Sequence, residues 1–154
     1  MILKKIMFAM VVLFSLAGCG SGDDNATTPG NNTPVVINLT NISKGELSGD
    51  PITVGNFVIK DMEDWNTFKE EANITTDLVV DFSVHEVIAV VDKVYPSSGH
   101  SIEITSIKKV DNKLTVEIKK TETDSGLTVM TQPFHVVRID KTGLPVVFKV
   151  NAPI

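Results

Sequence analysis

The chain has 154 residues, 19 acidic and 14 basic side chains, a formal net charge of −5 and a single cysteine. A modestly acidic chain of this length is expected to hold one domain and is poorly suited to nucleic acid or to docking on anionic lipid through a basic face. One cysteine excludes an intramolecular disulfide and any paired-thiolate metal site.

The first 18 residues read as a signal peptide. Lys4 and Lys5 form a basic start, Ile6 to Ala17 are apolar apart from Ser15, and Leu16-Ala17-Gly18-Cys19 follows. The run is short for a transmembrane helix. Its end resembles the bacterial lipobox, in which the cysteine thiol is acylated and the chain is then cut before it. Cys19 is thus the expected lipidation site, and its acyl chains the expected membrane contact. Two of the 14 basic residues and none of the acidic ones lie before Cys19, so the mature chain carries −7.

Residues 19–34 are expected to form the lipidated cysteine and a disordered tether, because Gly20 to Pro34 offers nothing to bury. Fifteen such residues reach about 20 Å. Asp23 and Asp24 resemble an acidic export signal of surface lipoproteins in Bacteroidetes, or they simply keep the tether solvated. The expected location is the bacterial envelope, at the outer membrane, with the periplasmic and surface faces both open.

Residues 35–154 are read as one β-rich domain. Val35 to Ile42 carries a short strand signal, Lys44 to Pro51 reads as a loop, and Ile52 to Lys60 as a second strand. The period then changes. Asp61 can cap a helix over Met62–Ala72, with Met62, Trp65, Phe68 and Ala72 on one stripe and Asn73 as a stop. Trp65 and Phe68 are expected to pack on the sheet.

Asp81 to Asp92 is the organising stretch. Val87–Val91 is an unbroken apolar run, mostly β-branched, which fits a central strand covered on both faces. Each buried Val or Ile there contributes roughly 1.5–3 kcal/mol. Tyr95 to His100 reads as a turn, with Gly99 available for a positive φ. His100 to Val110 is a strand whose alternation slips at Ser106-Ile107, predicting a bulge or bend. Asp111-Asn112 makes a two-residue hairpin turn, and Lys113 to Thr121 alternates as a half-buried strand.

Glu122 to Gly126 turns the chain, and Leu127 to Met130 reads as a short strand. Pro133 marks a strand start or an edge. Phe134 to Ile139 and Leu144 to Val150 complete the set, joined at residues 140–143. The expected class is α+β, mainly β: an antiparallel sheet curled into a sandwich or open barrel with one amphipathic helix.

No nucleophile elbow, phosphate loop, His-Glu-x-x-His motif or paired-Cys spacing is present. His85, His100 and His135 are far apart in sequence. His85 reads as a strand-end residue and His135 as a surface position, so no metal site or cofactor is expected. Ser97 or Ser98 with His100 and an Asp can be drawn as a triad, but a triad is defined by geometry and sequence proximity does not supply it. No catalytic residue is assigned.

The segment from Trp65 to Val150 contains a helical Trp, Asp81-Phe82-Ser83, an apolar strand, Ser98-Gly99-His100-Ser101-Ile102-Glu103-Ile104, a polar hairpin and Gln132-Pro133-Phe134-His135-Val136-Val137. In this it resembles the PrcB C-terminal domain family, named for a lipoprotein of a spirochaete surface protease complex. The family turn is usually Gly-Gly-Tyr, so Ser98 and His100 depart from it. The resemblance implies an accessory, protein-binding role beside an envelope protease or another envelope protein. The expected contact residues are Pro96, Ser98, Gly99 and His100 in one loop and Gln132, Pro133 and His135 in another, both expected to carry exposed polar groups. The rival expectation is a small-molecule or glycan-binding surface lipoprotein, which an exposed Trp65 would favour.

Overall fold

The computed structural model describes residues 33–47, 50–123 and 127–151. The expected signal peptide, Cys19 and most of the expected tether lie outside them. Eight strands and one helix follow in order: β1 (Val35–Ile37), β2 (Leu39–Leu47), β3 (Gly55–Ile59), α1 (Met62–Glu71), β4 (His85–Val91), β5 (His100–Val110), β6 (Lys113–Glu122), β7 (Gln132–Asp140) and β8 (Val146–Asn151). Two four-stranded sheets result, in the orders β1-β5-β6-β8 and β2-β7-β4-β3. The fold is therefore mainly β, a sandwich and not a closed barrel.

The β2-β7-β4-β3 sheet is covered on both faces, and this explains the unbroken apolar run in β4. Val87, Ala89 and Val91 share one core with Trp65, Phe68 and Ala72 of the helix. Ile88 and Val90 share the other with Ile104, Leu114, Val116 and Ile118 of the opposite sheet. The second sheet has one face in water, so β6 alternates: Leu114, Val116 and Ile118 are fully buried while Lys119 is exposed. Period in each strand thus reports how many faces its sheet buries.

The helix begins where Asp61 Oδ1 accepts the Asp64 N–H at 3.0 Å and ends at Asn73, whose φ is +48°. Trp65 and Phe68 stack with ring centroids 6.3 Å apart, and Phe57 of β3 meets Phe68 at 5.5 Å. The hairpin turn stands as expected, with Asp111 and Asn112 at φ +49° and +57°. The slip in β5 is a register shift between Ile104 and Ser106.

Four expectations are corrected. The first strand signal is two strands, because the chain changes sheet at Asn38: β1 pairs with β5 and β2 with β7. β2 extends to Leu47, through part of the expected loop, since β7 offers a matching partner as far as Gln132. Residues 127–130 form no strand; only Thr131 bridges to Tyr95. Finally, one pair departs from the expected antiparallel arrangement. β8 crosses to the other sheet and runs parallel to β6, with β7 acting as the crossover between them.

Candidate docking surface at the Tyr95–His100 turn

Asp92 ends β4 inside the domain, where a bare carboxylate would be costly. It is fully engaged. Oδ1 accepts the Lys120 ammonium at 2.6 Å and the Lys93 N–H at 2.8 Å, and Oδ2 accepts the Tyr95 hydroxyl at 3.0 Å. Burial pushes the carboxyl up, but the bonds from Lys120, Lys93 and Tyr95 outweigh it and hold Asp92 below its ordinary value. Burial, and then the Asp92 acceptor, pushes the Tyr95 phenol up to about 12.

The anchored Tyr95 ring sets the turn. His100 stacks on it with centroids 3.7 Å apart and planes 9° from parallel, and the Lys93 ammonium sits 4.9 Å from its centroid. Gly99 has φ +95°, which a side chain would resist, and its N–H donates to Glu46 at 3.3 Å. Thr131 Oγ1 donates to Ser97 O at 3.1 Å, and Ser98 N–H donates to Leu127 O at 3.3 Å. The turn is thereby tied to residues 127–131. Pro96 is exposed, and residues 97–100 are half-buried.

Beside this turn lies an apolar ledge: Leu127, Val129 and Met130 are 62%, 50% and 62% exposed. Sequence reading missed it because Leu-Thr-Val-Met alternates like a strand. Among the described residues this stretch joins no strand, and the same side chains face solvent.

The second expected contact segment is interior, which corrects the expectation of exposed polar groups there. Gln132 is 2% exposed and His135 4% exposed, and Pro133 is buried. Gln132 clips the chain together: Oε1 accepts Ile52 N–H at 2.9 Å, and Nε2 donates to Ile52 O at 2.9 Å and Asp92 O at 3.0 Å. Pro133 O accepts the Asp92 N–H at 2.9 Å. His135 points between the sheets, the reverse of a surface position. Its Nδ1 accepts the Ile104 N–H at 2.8 Å, so Nε2 carries the proton and donates to Asn41 Oδ1 at 2.9 Å. β1 pairs with β5 only over residues 107–109, and beyond that reach the histidine takes up the Ile104 N–H.

Ser97 Oγ lies 3.4 Å from His100 Nε2. The imidazole lacks the third group of a triad, since its buried Nδ1 has no hydrogen-bond partner among the described residues and Asp92 is committed to Lys120 and Tyr95. The histidines do not converge. His85 sits at the start of β4, 3.6 Å from Asp140. Among the described residues no group of three or more His, Cys, Asp and Glu is placed to hold a metal.

Asp81-Phe82-Ser83 has a local structural role. Asp81 Oδ1 accepts Ser83 N–H at 2.9 Å and Ser83 Oγ at 2.7 Å, while its carbonyl accepts His85 N–H at 2.8 Å. The Ser83 hydroxyl and amide hold the Asp81 carboxyl below its ordinary value. This closed turn launches β4.

These features define a two-sheet sandwich with one helix on its outer face and a rigidly held turn and apolar ledge at one end. Comparison with protein-family models, with curated proteins and with solved structures finds no match for this chain.

Proposed function

We propose that this chain is a bacterial envelope lipoprotein, held to the membrane by acyl chains on Cys19, whose sandwich docks on another envelope protein. The carrying observation is the ledge of Leu127, Val129 and Met130 beside exposed Pro96. Adjacent exposed apolar side chains, braced by a hydrogen-bonded turn, are a common basis for protein contact. The resemblance of residues 65–150 to the PrcB C-terminal domain supports an envelope protease as the partner and an accessory role for this chain.

Glycan binding has less support. Trp65 is 2% exposed, stacked on Phe68 and covered by the Lys69 ammonium at 5.5 Å, and Tyr95 is buried beneath His100. Neither ring is available to stack on a sugar.

Capture from detergent-solubilised envelope tests the reading. The full chain, anchored through Cys19, is expected to enrich one envelope protein, and Leu127→Ser with Met130→Ser to reduce recovery at least ten-fold. No enriched envelope protein, or recovery unchanged by the substitutions, would count against it.

A further inference from the structure

A second surface lies away from the turn, where β3 meets α1. β3 is an edge strand, hydrogen-bonded to β4 in uninterrupted register from Gly55↔Val91 to Ile59↔Val87. Its other side presents a row of backbone N–H and C=O groups. Next to that row runs a groove of about 400 Å³ between residues 56–59 and the helix. Phe57 and Phe68 supply its apolar floor, their rings 5.5 Å apart and tilted by 56°. Its rim carries Asp64, Thr67 and Glu71, all exposed and spaced to share one helix face.

The lining includes two carboxylates and no Lys or Arg. Lys69 is occupied over Trp65, and Lys60 lies past the end of β3. The other edges are less suited to taking a strand. β1 has three residues, β2 is broken by the register shift between Asn41 and Ser43, and β8 belongs to the sheet without the helix.

We propose that this groove receives an extended, lysine- or arginine-bearing peptide segment of a partner protein, added to β3 as a fifth strand. Main-chain bonds to β3 would give the affinity, an apolar side chain would seat on Phe57 and Phe68, and flanking cations would meet Asp64 and Glu71. Spacing narrows the sequence. Asp64 and Glu71 are seven helical residues apart, a rise of about 10 Å. Side chains on one face of a strand recur about every 7 Å, so cations four residues apart lie about 14 Å apart around an apolar residue midway, and long flexible Lys or Arg stems take up the difference of a few Å to reach both carboxylates. The chain's own residues 20–32 are a poor occupant, since they carry Asp23 and Asp24 and no base. The groove shares with the loop surface only the class of partner, a protein, and is tested separately.

The probe is a fluorescein-labelled peptide, Thr-Lys-Thr-Val-Thr-Lys-Thr, titrated with the detergent-solubilised full chain and read by anisotropy. Saturable binding is expected. It should weaken at least ten-fold with Glu71→Lys, and at least ten-fold when alternate peptide amides are N-methylated. Glu71 is exposed, so an unchanged melting curve shows that the variant still folds. No binding, equal binding of a peptide with Glu in place of Lys, or indifference to N-methylation would overturn the proposal. So would a concentration-dependent dimer that the peptide does not dissociate. The unsubstituted chain separates the two surfaces. Envelope capture without peptide binding removes the groove alone, and peptide binding without envelope capture removes the ledge alone.

Discussion

Lowering the pH from 7 to 4 should destabilise the domain by about 2 to 3 kcal/mol through His135 alone. Burial and the nearby Lys44 ammonium pull this imidazole down to about 4, against a weaker upward pull from Glu103, while in the unfolded chain it titrates near its ordinary 6.5. The folded state then binds fewer protons than the unfolded state between these values. Stability from this group is complete above pH 6.5, falls as pH drops through the window, and is flat below about 4. Protonation also has a structural effect. A proton on Nδ1 would face the Ile104 N–H that it now accepts, breaking a bond that spans the two sheets. Chemical denaturation at a series of pH values reads the slope. In His135→Phe the slope between pH 6.5 and 4 should flatten, at a cost near pH 7 of about 1 to 3 kcal/mol for the orphaned N–H. A slope unchanged by that substitution would contradict the assigned role.

Gln132→Leu should lower stability by about 2 to 4 kcal/mol, because Ile52 N–H, Ile52 O and Asp92 O lose their partner together. In a domain of this size that corresponds to a fall in Tm of roughly 8–16 °C. Gln132→Glu should be no milder. It keeps the shape and the acceptor but turns a carboxylate oxygen toward two carbonyls where the amide donated. Calorimetry distinguishes the cases, and a Gln132→Glu domain melting with the wild type would show that the clip contributes little.

Much of the fold was legible because burial imposes a period on sequence. β4 read as doubly covered because it is, and β6 read as half-buried because its outer face meets water. Asp61 and Asn73 bounded the helix through local backbone chemistry that needs no tertiary information. Pairing was less legible. The sheet change at Asn38 and the parallel β6–β8 ladder depend on which edges are left free after other strands have paired.

The candidate site was legible in part for the same reason. Pro96 and Gly99 marked a turn by composition. Gln132 and His135 looked like surface polar residues because nothing local reveals a distant backbone partner such as Ile52 or Ile104. The Asp92–Lys120–Tyr95 network was equally hidden, its members spanning 28 residues. Leu127, Val129 and Met130 carry a strand-like pattern but belong to no strand among the described residues.

The proposed docking role of the ledge is tested most directly by photo-cross-linking in intact envelopes of cells expressing the full chain. A photoreactive residue replacing Val129 or Met130 should yield a covalent adduct with one and the same envelope protein, whereas one replacing exposed Lys119 on the outer face of β6 should yield none. Adducts from position 119 alone, or none from 129 and 130, would contradict the assignment of this end of the sandwich as the docking surface.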